Sequence, residues 1–320
     1  MTLFDKVQPF LVLLSILIGL VLAQAVWFSD VASTIIVPLL GIMLYATFLP
    51  LPLQRFGRVL RNFKVTLASL LVNFLWTPLF AWGLGAVFLQ GSPDLRVGLL
   101  MLMVTPCTDW YIVFTGVAGG DVALATALLP LNLILQILLL PAYLFVFAET
   151  LVELNPIDLL ESMVWVLLIP LFLAIISRQF VFWWKGNIWF EQTIAKITVV
   201  QVISLNLAIV AIFASEGGTL LQRPELLFLL FVPVSLFFVT NFLLAQWVGR
   251  CLRFSYEELA CFSCTTLARN SPLSLAIAVS TFPHRPLIAL TLVIGPLIEL
   301  PIMVFISQLL LRIRRRGQWK

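Results

Sequence analysis

The chain has 320 residues, of which 62% are hydrophobic and 11% are charged, with a formal net charge of +4 and a mean hydropathy of +1.10. A soluble protein of this length needs far more charge to cover its surface, so the composition excludes a soluble domain and indicates a polytopic integral membrane protein. The net positive charge is no sign of nucleic-acid binding because it follows membrane topology, and the four cysteines do not form the pattern of a disulfide framework.

Apolar stretches long enough to cross a membrane follow one another along the whole chain. A helix needs about 20 such residues to cross roughly 30 Å of hydrocarbon. Ten stretches meet this requirement, and no loop is long enough for a soluble domain, so residues 1–320 are predicted to form one all-α membrane unit with ten transmembrane helices. The predicted spans are 8–27, 31–53, 62–88, 95–118, 122–148, 157–177, 193–214, 225–250, 257–282 and 285–311.

The positions of Lys and Arg predict the orientation of these spans. If the N-terminus is cytoplasmic, 15 of the 19 basic residues fall on the cytoplasmic side and the acidic loop 149–161 falls outside. We therefore expect both termini in the cytoplasm. The cytoplasmic residues would be Lys6, Arg55, Arg58, Arg61, Lys64, Arg178, Lys185, Lys196, Arg250, Arg253, Arg312, Arg314, Arg315, Arg316 and Lys320.

Two short polar runs interrupt the apolar spans 4 and 9. The runs are Thr105–Trp110 and Leu267–Pro272, and each contains a proline and one charged residue. Proline breaks the hydrogen bonding of a helix, and non-helical backbone at membrane depth must line a cavity or be buried in protein. We therefore expect spans 4 and 9 to unwind and cross at Pro106, Ser271 and Pro272, with a simple kink at Pro106 as the alternative.

The two halves of the chain are predicted to form an inverted repeat. Five spans precede the acidic loop and five follow it, so the half 1–150 and the half 151–320 would insert in opposite orientations. Interrupted helices at matching places in two such halves are typical of secondary transporters, whose binding site lies between them. Weak internal similarity agrees, since Asn73-Phe74-Leu75 in span 3 matches Asn241-Phe242-Leu243 in span 8.

Several short motifs in the repeats carry a resemblance to a known family. They are Pro106-Cys107-Thr108, Gly120-Asp121-Val122-Ala123-Leu124, Asn73-Phe74 with Pro78, and Asn270 with Leu275-Ala276-Ile277-Ala278. In these motifs, and over nearly its whole length, the chain resembles the bile acid:sodium symporter superfamily and, within it, the arsenical-resistance (arsenite) permeases. The resemblance implies a panel domain of spans 1, 2, 6 and 7, a core domain of spans 3–5 and 8–10, and alternating access.

The resemblance also implies a substrate site at the crossover. Cys107 matches the cysteine that arsenite carriers hold in span 4, and thiolate is the soft ligand that suits trivalent arsenic. Cys261 and Cys264 could complete a set of three thiols, but for these two the role of a small apolar filler is favoured, whereas for Cys107 the two roles are evenly balanced. Asn73 matches a ligand-bearing amide of the family. The predicted substrate-binding residues are Cys107, Thr108, Asp109, Arg269, Asn270 and Asn73, with Cys107 as the arsenical ligand.

Three charged residues inside spans are the predicted coupling residues: Asp109, Arg269 and Glu299. An ion pair of Asp109 with Arg269 would either tie the two crossovers together or act as a switch for a proton or an anionic substrate. Glu299 would pair with Arg269 or carry the proton. Tyr111 and Ile112 stand where the sodium-coupled members have a Ser-Asn pair, so few oxygens remain for sodium. The proton is therefore the expected coupling ion, ahead of sodium.

The combined prediction is a secondary active transporter that exports arsenite or a related arsenical in exchange for protons. The alternatives are an ion-coupled carrier of a small organic anion held by Arg269, and a membrane sensor that has lost transport. No nucleotide-binding loop and no nucleophile–base pair is evident, so we expect neither an enzyme nor a cofactor. The expected partners are a small-molecule or oxyanion substrate, the coupling ion and the lipid bilayer, and the sequence does not decide the oligomeric state.

Overall fold

The computed structural model describes residues 3–24, 26–50, 62–108, 110–152, 155–222 and 225–315, and all regular structure in these ranges is helical. Helix α7 ends at Gly186, whose φ of 76° breaks the helix, and α8 covers the residues beyond that break. The helices are α1 Leu3–Leu22, α2 Val26–Phe48, α3 Phe63–Phe88, α4 Pro93–Val104, α5 Trp110–Val117, α6 Val122–Ala148, α7 Pro156–Gly186, α8 187–222, α9 Glu225–Leu252, α10 Tyr256–Leu267, α11 Ser271–Thr281 and α12 Pro286–Arg315.

Within the described ranges, seven of these helices are long and apolar enough to span a membrane, namely α2, α3, α6, α7, α8, α9 and α12. The protein is therefore a polytopic integral membrane protein. The pieces of predicted spans 4 and 9 are each too short to cross alone, and α1 has a short apolar stretch, Phe10–Leu22. The arrangement of ten spans stays a prediction.

The helix breaks lie at the two polar runs that the sequence singles out. Helix α4 ends at Val104, and Thr105 takes an extended conformation (φ −107°, ψ 99°), as the residue before a proline prefers. Helix α10 ends at Leu267, where Ala268 is again extended (φ −70°, ψ 138°). Helix α11 then begins with a proline in its first turn, where the missing N–H has no helical partner to lose.

Helix α3 contains a π turn, Val72–Trp76, in which Val72 and Asn73 are buried. Pro78 follows this turn and has no N–H to donate to the carbonyl of Phe74, four residues earlier. The hydroxyl of Tyr143 in α6 donates to that carbonyl instead, at 2.6 Å. A neighbouring helix thus satisfies the backbone group that the proline leaves open, as is required inside a membrane.

Two sets of helices pack largely among themselves. In the first, α1 and α2 lie against the segment Ile169–Gln222, and the hydroxyl of Ser15 donates to the side-chain oxygen of Asn206 at 2.9 Å. In the second, α4 packs against α3 and α12, α5 packs against α6 and α10, and α9 packs against α10 and α12. Helix α11 contacts α12 of the second set and α2 of the first.

Helix α12 is tied to both broken helices. Arg285, just before α12, forms an ion pair of 2.7 Å with Asp94 in the first turn of α4. Arg314, near the end of α12, forms one of 3.1 Å with Glu257 in the first turn of α10. Between these ties, α4 and α12 approach closely at Gly98, where an added Cβ would lie 2.6 Å from the Cβ of Thr291. Small residues allow such close approach between membrane helices.

Candidate functional site: two paired helix breaks and a charged cavity

The two helix breaks lie side by side and bond to each other through their backbones. The N–H of Cys107 donates to the carbonyl of Ala268 at 3.0 Å, and the N–H of Asn270 donates to the carbonyl of Thr105 at 2.8 Å. Thr105 and its neighbours therefore form a short antiparallel pair with the Ala268 segment, centred on Pro106 and Arg269. This pairing satisfies backbone groups that neither broken helix can satisfy within itself.

Buried hydroxyl and amide side chains add further links between the breaks. The amide of Asn270 donates to the hydroxyl of Thr108 at 3.2 Å, so two predicted site residues are in contact. The hydroxyls of Thr105 and Ser274 lie 2.7 Å apart and share a hydrogen bond, and Ser274 also donates to the carbonyl of Met101 at 2.9 Å. Every one of these side chains is buried, so the links hold α11 against the end of α4.

We expect Asn270→Ala to lower the free energy of unfolding by about 1–2 kcal/mol, because it removes an N-cap as well as the link to Thr108. The side-chain oxygen of Asn270 accepts from the N–H of Leu273 at 3.2 Å. Thermal unfolding of the purified protein in detergent measures the loss. The matched control is Asn155→Ala, which removes the exposed N-cap of α7 and its 3.0 Å bond to the N–H of Ile157. An equal or smaller loss at Asn270 than at Asn155 would contradict the role of the link.

Arg269 is the charged residue at the centre of the paired segments, and only 3% of it is exposed. Its Nε donates to the carbonyl of Leu267 at 3.1 Å, and its Nη1 donates to the carbonyl of Met103 at 2.8 Å. Its Nη2 donates to the side-chain oxygen of Asn73 at 3.0 Å and also to the carbonyl of Thr266. Three of these acceptors belong to the last turns of α4 and α10, where the helix dipoles favour positive charge.

Asn73, the predicted substrate ligand in α3, lies against Arg269 and α10. Its oxygen accepts from the guanidinium, and its nitrogen donates to the carbonyl of Thr265 at 3.3 Å. Phe237 of α9 covers the same guanidinium, with 5.1 Å between its ring centroid and the Cζ of Arg269, which is within cation–π range. The sequence does not predict Phe237, because nothing distinguishes it from the other phenylalanines of an apolar span.

Glu299 of α12 meets the paired segments through their backbone. Its Oε1 accepts from the backbone N–H of Arg269 at 2.8 Å, and only 5% of the residue is exposed. Over the ranges that the structure describes, no ion pair joins the carboxylate of Glu299 to the guanidinium of Arg269. The two residues lie close together, but the carboxylate binds the main chain of Arg269 rather than its guanidinium.

A cavity with about 560 Å³ of empty space, which includes a part open to solvent, lies beside the paired segments. Arg269, Ser271 and Glu299 form its polar part, and the remaining walls are mainly apolar. Val12 of α1 and Leu205 of α8 face it from one side, and residues of α5, α11 and α12 face it from the other. The cavity therefore lies between the two sets of helices.

The other predicted site residues differ in whether the structure places them near the paired segments. Cys107 is buried in the paired segment, and Asp109 lies outside the described residues, so the predicted Asp109–Arg269 pair stays a prediction. Cys261 lies beside the Gly120 turn, where an added Cβ would be 3.0 Å from its backbone nitrogen. The described residues contain no group of three His, Cys, Asp or Glu side chains that can hold a metal ion, so the structure gives no support to the alternative of three converging thiols.

A helical membrane protein with two paired helix breaks, and a cavity at their buried charged groups, has the organisation of a secondary transporter. The chain belongs to the Sodium Bile acid symporter family, whose profile matches residues 37–223. This confirms the family resemblance that the sequence motifs indicate. Members of this family are transporters, so the chain is a membrane transporter and not an enzyme.

Relatives from three bacteria match most of the chain. The Arsenical-resistance protein Acr3 of Corynebacterium glutamicum is 25% identical over 94% of this chain and 86% of its own length. An uncharacterized transporter of Synechocystis is 26% identical over 97% of this chain and 88% of its own length. The Arsenical-resistance protein Acr3 of Alkaliphilus metalliredigens is 22% identical, with 86% and 81% covered. The similarity thus extends well beyond the part matched by the family profile.

Proposed function

We propose that this transporter exports arsenite or a related arsenical in exchange for protons. The observation that carries the proposal is that the paired segments contain a thiol and are hydrogen-bonded to a buried carboxylate. The N–H of Cys107 bonds to Ala268, and the N–H of the next residue, Arg269, bonds to the carboxylate of Glu299. A soft sulfur ligand for trivalent arsenic and a buried group that can carry a proton are therefore linked through two backbone contacts.

The proposed architecture consists of ten spans in two inverted repeats, 1–150 and 151–320. The first packed set would correspond to the panel domain, and the second set, with the crossing of the broken helices, to the core domain. The cavity between the two sets supports this assignment, because alternating access requires a site at the boundary of two moving bodies. Both termini would lie in the cytoplasm, with the chain in the inner membrane of a bacterium.

In the proposed cycle, Glu299 carries the proton and Cys107 binds the arsenical. With the cavity open to the outside, Glu299 would take up a proton and keep its contact with the backbone of Arg269. The core would then move against the panel and open the cavity to the cytoplasm, where Glu299 would release the proton and the arsenical would bind at Cys107. The return movement would carry the arsenical out. Asp109 is retained as a coupling residue on its sequence position.

A carrier of a small organic anion is the less favoured alternative. In that reading the guanidinium of Arg269 would be the counter-charge of the substrate. Its Nε, Nη1 and Nη2 already donate to four oxygens of the protein, so an anion would have to displace bonds that the fold supplies. Since the family consists of transporters, a sensor without transport is not favoured either.

Cys107→Ala is expected to reduce arsenite uptake into everted vesicles whose lumen is acidic, because the soft ligand is lost. The reduction should be at least about tenfold, the loss typical of a metal site that loses one supporting contact. The matched control is Cys251→Ala, since Cys251 is exposed at the end of α9. Unchanged uptake by Cys107→Ala would overturn the role of the thiol, and no gradient-driven uptake by the intact protein would overturn the arsenite proposal.

A further inference from the structure

The guanidinium of Arg269 lies inside a cage of four oxygens contributed by three separate helices. The carbonyls of Met103 and Leu267 accept at 2.8 and 3.1 Å, the side-chain oxygen of Asn73 accepts at 3.0 Å, and the carbonyl of Thr266 completes the set. The residue is almost fully buried. Removing the side chain would therefore leave four oxygens around one buried space inside the protein.

The chemistry of this cage is that of a site for a monovalent cation. All four oxygens are neutral carbonyl or amide groups, which are hard ligands, and three come from the C-terminal ends of helices that end inside the membrane. Unwound carbonyls and the C-terminal ends of broken helices are the groups with which secondary transporters bind their coupling cations. The ring of Phe237, 5.1 Å from the guanidinium carbon, adds another surface that attracts a cation.

We propose that these four oxygens form a cation site that the transporter fills with its own arginine. The tethered guanidinium takes the position that a bound sodium ion would otherwise take, so transport by this chain needs no sodium. Removal of the side chain opens the site to a free cation, with guanidinium ion preferred over sodium because it offers the same N–H donors as the missing side chain. This goes beyond the proposed function, because it holds for any substrate that the chain carries.

The matched experiment compares Arg269→Ala with Arg285→Ala in detergent. Arg285 differs from Arg269 in being ion-paired to one carboxylate, that of Asp94, and in exposure, since the two paired side chains are 37% and 21% exposed. Millimolar guanidinium chloride is expected to raise the melting temperature of Arg269→Ala saturably and to leave Arg285→Ala and the unaltered protein unchanged, with choline chloride as the salt control. Sodium chloride should give a smaller rise. No saturable stabilisation of a folded Arg269→Ala protein by either cation would overturn the proposal.

Transport provides a second readout. The transport rate of Arg269→Ala should be about a hundredfold lower, since several hydrogen bonds to a charged group are lost together. Added guanidinium should raise the transport rate of this variant at least about tenfold. Arg269→Lys keeps the charge, but the lysine cannot donate to four oxygens at once. Its transport rate should therefore be lower than that of the unaltered protein and should not rise when sodium is added.

The unaltered protein also tests the proposal, even if Arg269→Ala fails to fold. Its transport in proteoliposomes should be the same when choline replaces all sodium, and stimulation by sodium would contradict a site filled by Arg269. The melting experiment uses no substrate, so it tests the cation site even if the chain does not transport arsenite. Conversely, arsenite transport that requires sodium would support the proposed substrate and would contradict the proposal that Arg269 fills the cation site.

Discussion

Glu299→Gln is expected to abolish proton-coupled transport and to leave the protein folded. Glutamine has nearly the same shape, and its side-chain oxygen can still accept from the backbone N–H of Arg269, where the carboxylate accepts at 2.8 Å. It cannot take up and release a proton. Groups that transfer protons typically contribute about 10²–10⁴-fold, so gradient-driven uptake should fall by about a hundredfold or more.

Everted vesicles with an acidic lumen measure this loss for Glu299→Gln, and exchange of labelled for unlabelled substrate without a gradient should persist. Glu257→Gln is the matched control, because Glu257 is about half exposed and pairs with Arg314 away from the cavity. We expect Glu257→Gln to keep gradient-driven uptake within about threefold of the unaltered protein, as for an exposed ion pair worth less than 1 kcal/mol. Gradient-driven uptake retained by Glu299→Gln would remove Glu299 from the coupling mechanism.

The second large effect is expected from Gly98→Ala at the contact between α4 and α12. The added Cβ would lie 2.6 Å from the Cβ of Thr291, which is fixed to the backbone of α12 and cannot swing aside. The two helices would have to separate, at a cost of about 1–3 kcal/mol in the free energy of unfolding. Thermal unfolding in detergent measures this change, and a lower transport rate should accompany it because α12 carries Glu299.

Gly83→Ala is the matched control for Gly98→Ala. Gly83 lies in α3, and an added Cβ there meets no atom within 4 Å. Alanine in a helix is more favourable than glycine by about 0.5–1 kcal/mol, so this variant should be as stable as the unaltered protein or slightly more so. Equal melting temperatures for Gly98→Ala and Gly83→Ala would show that the close contact at Gly98 is unimportant.

The positions of the helix breaks could be predicted from the sequence because their causes are local. Pro106 and Pro272 act on the backbone within one turn, and Asn270 is a common N-cap. The π turn Val72–Trp76 has no such local signal, although Pro78 follows it. Its geometry depends on α6, whose Tyr143 supplies the missing hydrogen bond.

The partners of the charged residues could be predicted only in part. Arg269 and Glu299 stand out as charges in apolar spans, and they do lie together at one cavity. Three of the four acceptors of Arg269 are backbone carbonyls, which every residue possesses, so the amino-acid types do not reveal them. The cysteines show the limit of residue type in another way, since three thiols in the core allow a shared site but do not require one, and the fold places Cys261 at the Gly120 turn.

The bonds that complete α4 have a consequence for the order in which the protein is made. Asp94 and its partner Arg285 are 191 residues apart, and Met103 and Arg269 are 166 apart. While only the first half of the chain has been synthesised, the guanidinium of Arg269 is not yet present to donate to the carbonyl of Met103. A carbonyl without a hydrogen bond is costly in lipid. We therefore expect helix α4 to reach its final position only after residues 256–315 have entered the membrane, so that the two halves of the chain mature together rather than one after the other.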